Sequence, residues 1–419
     1  MLHVEGEPHV AYPLRRIEQF LRRLFDHRSD FAGMEAAGGY DKQLKRELVD
    51  PRSKQQFNQM IYFHTRSRDS AEGDFYSPKD AKMQPGKPGP VSASFSTQMD
   101  DPVTGAAITQ TVTLYTRTKL IDIVNKIEHA RALYSDKYED RYRANIFYAF
   151  PVDVPGGQPR AEYAGGVVRP YKDQLRWGSH DYLNVNHWVD VSNRDFGVTM
   201  APQEASAVSF GEIRYSKFSI DYEPSKPYLF SYAWSNRMAG LLILSPEDCN
   251  ATLHYSFMSH AGDWDSDTVT RFGWETASPL EASVIDGAQR GTLPAREASF
   301  VRVSAPNVEL VTLKNSEQPG RGWILRLVET EGRDADVTVD VNHFDLALAE
   351  ECDLAEDDRQ PIPVTGNQVH LHIGKIRLCN CSPDRSRTAS NARDRHSYPS
   401  RQRQPDCAGM AGRARRRRL

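Results

Sequence analysis

Tyr40-Asp41-Lys42-Gln43-Leu44-Lys45-Arg46-Glu47-Leu48-Val49-Asp50, followed by Phe57-Asn58-Gln59-Met60-Ile61-Tyr62, decides how the rest of this chain is read. It stands where the texture of the sequence changes. From about Gly38 onward, short runs with strand periodicity take over. Val91-Ser92-Ala93-Ser94-Phe95-Ser96 alternates apolar and small polar residues. Residues 108–115 alternate again and are rich in β-branched side chains, and residues 120–127 continue the pattern. Alternation of period two puts successive side chains on opposite faces of a strand. Between these runs stand turn-forming clusters, Pro85-Gly86-Lys87-Pro88-Gly89-Pro90 and Asp100-Asp101-Pro102-Val103-Thr104-Gly105. Many short strands broken by Gly/Pro turns predict packed antiparallel sheets, not a parallel sheet alternating with helices.

Working outward, an all-β, supersandwich-like domain is expected over 38–285 and a small β domain over 296–378. A break falls near 280–297. The second unit is carried by Gly322-Trp323-Ile324-Leu325-Arg326-Leu327-Val328-Glu329-Thr330 and Asp336-Val337-Thr338-Val339-Asp340-Val341. Residues 1–37 form an extension in which Leu14, Ile17, Leu21 and Leu24 share one face of a short basic helix. Beyond Leu378 the aliphatics nearly vanish. Residues 381–419 hold eleven Arg against three Asp, a charge of +8, while the rest of the chain carries −11 of the net −3. A segment so poor in apolar surface cannot offset its chain entropy, so 379–419 is expected to be a disordered basic tail. A frame-shifted end of the coding region is the expectation for its origin. With no aromatic interleaving and no folded reader beside it, it predicts no specific nucleic-acid partner.

The 419 residues are 39% hydrophobic and 26% charged, the balance of a globular protein. No run of 18 apolar residues exists and no basic n-region leads into an apolar core. Membrane insertion and secretion are therefore not expected. The five cysteines, Cys249, Cys352, Cys379, Cys381 and Cys407, are odd in number and unevenly spread, unlike a disulfide framework. The expected location is cytoplasmic.

The opening stretch resembles the start of the C-terminal β region of glycoside hydrolase family 38, the α-mannosidases. Further resemblances follow in family order: Asn145-Ile146-Phe147-Tyr148-Ala149-Phe150-Pro151, then Trp188-Val189-Asp190-Val191-Ser192-Asn193 with Phe196-Gly197, then Phe230-Ser231-Tyr232-Ala233-Trp234-Ser235-Asn236. His254-Tyr255-Ser256-Phe257, His260-Ala261-Gly262-Asp263-Trp264-Asp265 and Arg271-Phe272-Gly273-Trp274-Glu275 come next. Leu325-Arg326-Leu327-Val328-Glu329-Thr330 with Gly332 resembles a hairpin of the small domain. At Arg237-Met238-Ala239-Gly240 the chain departs from the family's pattern. The resemblance implies carbohydrate, specifically mannose-containing glycans, as the partner, and zinc as the cofactor of the full-length family. It also implies a catalytic barrel ahead of the β region. Only about forty residues precede that region here, so this chain is expected to lack catalytic residues and to be inert by itself, with a barrel supplied elsewhere as one alternative. A stand-alone carbohydrate-binding or scaffold protein is the other.

Retaining glycoside hydrolysis needs two carboxyl groups about 5 Å apart. No motif of the chain supplies them by spacing, and no G-x-S-x-G, phosphate loop or H-E-x-x-H occurs. His180-Asp181 lies within the β region. His260 with Asp263 and Asp265 has ligand-type side chains, yet reads as a polar loop between strands. His370-Leu371-His372 puts two imidazoles on one strand face, and Asp353, Glu356, Asp357 and Asp358 read as a solvated acidic loop. No metal site is expected. Among the tryptophans, Trp188 and Trp274 read as core. The resemblance places the β region beside the active-site mouth, which makes Asn236, Arg237, His260, Asp263 and Trp264 the expected substrate-binding residues.

Overall fold

The computed structural model describes residues 40–41, 43–67, 70–86, 88–130, 144–175, 177–235, 250–287, 291, 293–294, 296–343, 345–357, 360–374 and 378–385. Residues 12–25, where a helix is expected, and 386–419 lie outside them.

Two antiparallel sheets make the large unit. One has nine strands, in the order Gly166–Val168, Gln158–Tyr163, Val189–Ser192, Phe196–Pro202, Ala251–Ala261, Ile121–Glu128, Ala107–Tyr115, Ser92–Asp100 and Lys82–Pro85. The other has six, Leu183–Asn184, Ala207–Phe210, Leu229–Ser235, Ala144–Phe150, Gln59–Thr65 and Gly73–Tyr76. Ile121, Ile123 and Phe257 of the first pack against Met60, Tyr148 and Phe150 of the second in one continuous core.

The six-stranded sheet is covered on both faces, which explains its unbroken apolar runs. In Ala144–Phe150 every residue is buried. Ile146, Tyr148 and Phe150 enter the core between the sheets, while Phe147 and Ala149 join a second cluster on the outer face. Met60 and Tyr62 divide from Ile61 and Phe63 in the same way. Tyr215, Tyr228 and Ile213, from the segment after Ala207–Phe210, close over the outer face.

The opening stretch is pinned by its polar residues. Buried Asp41 accepts the backbone N–H groups of Gln43 and Leu44 at 2.8 and 2.9 Å, the Lys119 ammonium at 2.9 Å and the Ser259 hydroxyl at 2.5 Å. Those donors outweigh the burial that would raise its pKa, and hold the carboxyl below its usual value. The run from 41 to 50 is not one strand. Tyr40–Asp41 and Arg46–Glu47 form a two-stranded ribbon around Lys45 at φ 54°, and Val49 then makes an isolated bridge to Val152. Asn58, also left-handed at φ 59°, exchanges side-chain hydrogen bonds with Asn125 at 2.9 and 2.7 Å and so ties the two sheets together.

A four-stranded sheet, Val301–Val303, Ala335–Val341, Gln368–Ile373 and Val364–Thr365, faces a five-stranded one in the small unit. The latter runs Val308–Asn315, Trp323–Glu329, Leu378–Arg385, Leu346–Cys352 and Gln360–Ile362. Leu325 and Leu327 meet Val337, Val339 and Ile373 in its core. Composition places the start of a structureless tail at 379, but the chain continues as a strand to Arg385. Its backbone has a ladder on each side, and ladder hydrogen bonds do not require apolar side chains.

Candidate functional site

The strand Val189–Ser192 sends Val189 and Val191 into the sandwich core and leaves Trp188, Asp190 and Ser192 on the opposite face. Its neighbour places Thr199 opposite Asp190, and the next strand places His260 opposite Gly197. His260 Nε2 lies 2.9 Å from Asp190 Oδ1, which also accepts the Thr199 hydroxyl at 2.8 Å. Both side chains of the pair are sealed, 4% exposed for His260 and 0% for Asp190. Burial alone would lower the His260 pKa. The Asp190 carboxylate outweighs it and holds the imidazole above its usual value. Gly197 is required there, because a Cβ would fall 2.3 Å from His260 Nε2.

The loop after His260 returns to the same strand. Ser192 Oγ donates to Asp263 Oδ1 at 3.0 Å and accepts the Trp264 N–H at 3.1 Å. The Trp264 ring stacks 6.0 Å from Trp188. Asp265 accepts the Thr268 N–H and starts a π-helical turn, Ser266–Thr270, which runs on into the helix Arg271–Ala277. That helix seals Trp188, which is fully buried. Gly273 lies so close that a Cβ would meet Trp188 Cδ1 at 2.5 Å.

Three of the five expected substrate-binding residues therefore converge. Of these, Asp263 is exposed and Trp264 half-buried, while His260 is enclosed with Asp190. Asn236 and Arg237 lie outside the described residues. The same geometry tests whether these residues fit a zinc ion. Nε2 of His260 is taken by Asp190, and Asp263 Oδ1 by Ser192 and the Trp264 N–H. Among the described residues, no three of His, Cys, Asp or Glu stand together as a metal would need. The residues present do not fit the group.

Other polar motifs are structural locks. His180 Nδ1 contacts the Tyr222 carbonyl oxygen at 2.9 Å, and Asp181 accepts the backbone N–H groups of Lys217 and Phe218. Glu356 is not solvated, as its acidic neighbourhood suggests, but 2% exposed. It is paired to Lys314 at 2.8 Å, which, with the Glu317 N–H and Ser316 hydroxyl, pulls its pKa down to about 2. His370 and His372 are held separately by Thr338 and Asp336.

A further feature suited to a ligand draws on Gln59, Ile61 and Phe230 of the quoted stretches, although none of them reads as a site in the sequence. A cleft of about 650 Å³ opens on the outer face of the six-stranded sheet. Its floor is aromatic and apolar: Ile61, Phe63, Tyr215, Tyr228 and Phe230. Phe75 stands at its edge, 58% exposed, with its ring stacked on Phe63 at 4.5 Å and 19°. Arg52, Lys54, Gln55, Gln59 and Lys217 give it a polar rim. Tyr228 is held in place by its hydroxyl, which donates to Asp50 Oδ2 at 2.5 Å; this bond leads the causes that lower the Asp50 pKa to about 2. The exposed ring of Phe75, beside amides and ammonium groups, suits the C–H face and hydroxyls of a sugar. In the sequence, Phe63 and Phe75 are strand aromatics like those of the core, so only the sheet's two-sided burial reveals the cleft.

Comparison with known proteins agrees with this architecture. Residues 37–216 match the glycosyl hydrolases family 38 C-terminal domain, and residues 307–381 match the glycosyl hydrolases family 38 C-terminal beta sandwich domain. No curated protein matches the sequence. Among solved structures, a protein in the glycosyl hydrolase family 38 from Enterococcus faecalis is similar, with a TM-score of 0.56 at 11% identity over 82% of this chain and 41% of the other. An alpha-mannosidase from Enterococcus faecalis gives a TM-score of 0.55 at 12% identity over 82% of this chain and 40% of the other. The chain thus spans about two fifths of the length of these structures, whose likeness is one of fold. With both C-terminal domains present in order on the two sandwiches, this chain belongs to glycosyl hydrolase family 38, as its C-terminal region.

Proposed function

We propose that this chain is the carbohydrate-facing portion of an α-mannosidase-like glycoside hydrolase, and that by itself it binds mannose-containing glycans without hydrolysing them. The observation that carries the reading is the pairing of two family C-terminal domains with an aromatic, polar-rimmed cleft on the first. The cleft holds a glycan by stacking on the exposed ring of Phe75, while Gln59, Arg52 and Lys217 meet its hydroxyls. No hydrolytic step is assigned to the chain's own residues, since His260, Asp190 and Asp263 are committed to one another and to Ser192. Cytoplasmic location is part of the proposal. It rests on the number and spacing of the cysteines; no helix among the described residues is long and apolar enough to cross a membrane. A stand-alone glycan-binding role is the second reading, supported by the exposed Phe75 ring at the cleft's edge.

The test is calorimetry with mannose oligosaccharides beside an assay with an aryl α-mannoside, with and without added zinc. Saturable binding and no turnover is the expected result. Zinc-dependent release of the aryl group, lost on His260→Ala or Asp263→Ala, overturns the inert reading. Absence of glycan binding removes the cleft from the proposal.

A further inference from the structure

A second cavity, of about 210 Å³, shares Ser225 and Lys226 with the aromatic cleft. It is formed by the turn at Gly156 and Gly157, the start of the strand Gln158–Tyr163, the loop 169–172 and residues 223–227. Four of its wall residues are prolines, Pro159, Pro170, Pro224 and Pro227. Each fixes its own φ, so the wall has little freedom left to lose on binding. Tyr171 adds a residue held in the left-handed region, at φ 71°. Its hydroxyl accepts the Phe210 N–H at 3.3 Å, and its own N–H donates to Gln174 Oε1 at 2.8 Å. Backbone strain of this kind persists where the surroundings over-determine it, often at a ligand clamp.

The charges of the cavity are unbalanced. Arg160, Arg169, Lys172 and Lys226 line it, against Glu223 as the acid of the lining. Arg169 is neutralised by a forked pair with Asp173, its Nη2 2.6 Å from Oδ1 and its Nε 3.0 Å from Oδ2. The other three cations donate to neutral groups. Arg160 Nη1 gives its hydrogen bond to the Pro159 carbonyl at 3.0 Å, and Lys172 Nζ to Gln158 Oε1 at 3.3 Å. Lys226 Nζ donates to the Tyr228 hydroxyl at 3.3 Å and sits over that ring. Asp173 feels the charge of Arg160 as well as that of Arg169, which stands first in holding its carboxyl below the usual value. A concave wall with cations of one sign and few counter-charges concentrates anions. The guanidinium fork and ammonium groups match a tetrahedral oxyanion.

We propose that this cavity is a binding site for a phosphate group, carried either by inorganic phosphate or by a phosphorylated sugar, with Arg160 and Lys172 as its principal donors and Lys226 closing it from the side of the aromatic cleft. Arg160 and Lys172 do not line that cleft. The proposal therefore stands or falls separately from glycan binding.

Titration calorimetry on the full chain at low ionic strength tests it, with inorganic phosphate, mannose 6-phosphate and mannose as the three probes. Both phosphate probes are expected to bind and mannose to leave this site empty. Tighter binding of mannose 6-phosphate than of phosphate assigns the site to a phosphorylated sugar; equal binding assigns it to phosphate alone. Arg160→Gln and Lys172→Gln are each expected to weaken binding about tenfold with an unchanged melting temperature, and added salt to weaken it in the wild type. Glu223→Gln is expected to tighten it. Lack of phosphate binding at millimolar concentration overturns the proposal, as does binding that neither Arg160→Gln nor Lys172→Gln alters in chains that melt like the wild type.

Discussion

His260 and Asp190 face each other across the strand that separates them, 2.9 Å apart and closed off from solvent. A carboxylate so enclosed needs its partner. Removing one member of a buried pair leaves the other uncompensated and costs about 3–5 kcal/mol. His260→Ala, which strands the carboxylate, is expected to lose stability on that scale in denaturant unfolding, and Asp190→Asn, which keeps the shape and lets the imidazole shed its proton, to lose less, about 1 kcal/mol. The wild type should also show a pH slope that Asp190→Asn lacks. Because the folded His260 pKa is raised above 6.5, its contribution is fully present below that value and is lost as pH rises through the folded pKa. Unfolding free energies of the wild type and Asp190→Asn from pH 6 to pH 9 check the sign.

Gly273 and Gly197 are expected to resist alanine for a steric reason, not a conformational one. At Gly273 the added Cβ lies 2.5 Å from Cδ1 of fully buried Trp188, and at Gly197 it lies 2.3 Å from His260 Nε2. Neither neighbour is the free end of a flexible chain. Gly273→Ala should cost about 1–3 kcal/mol by overpacking. Gly291→Ala, with nothing within 4 Å, is the control and should leave the melting temperature in place.

How much of this was legible beforehand follows from the same residues. The alternation in 91–96 and 108–115 is visible as a period of two, and the structure places both in the nine-stranded sheet. The run Asn145 to Phe150 shows no alternation because both its faces are buried, by clusters that residues distant in sequence provide. Convergence of His260, Asp263 and Trp264 was legible as neighbourhood, but the enclosure of His260 was not, since it depends on Asp190 arriving from 70 residues away. The strand Leu378–Arg385 was missed because composition registers side chains and not the two backbone ladders waiting for it.

Acid should weaken the fold in a window set by Asp50 and Glu356. Their pKa values fall from 3.8 and 4.5 to about 2, Asp50 through the Tyr228 hydroxyl and Arg52, Glu356 through Lys314. Lowered folded values stabilise above the unfolded ones, and that contribution is lost as pH drops toward 2. Asp50→Asn and Glu356→Gln should each flatten the decline in stability between pH 5 and pH 2, measured by circular dichroism. Tyr228→Phe should act like a partial Asp50→Asn, because it removes the first of the groups that hold that carboxylate.

Phe75 and Phe63 allow binding to be separated from folding. The two rings are stacked, yet Phe75 is 58% exposed while Phe63 is 2% exposed. Phe63→Ala empties a core position and should cost about 3–5 kcal/mol. Phe75→Ala removes little buried surface, so its stability should stay within about 0.5 kcal/mol of the wild type. If the cleft stacks a sugar, Phe75→Ala should nonetheless lower glycan affinity about tenfold, the loss of one aromatic contact of roughly 1 kcal/mol with its accompanying area. Calorimetry with a mannose oligosaccharide on the well-folded variant reads this directly. Unchanged affinity would mean that the exposed ring serves the sheet edge and that the sugar lies elsewhere.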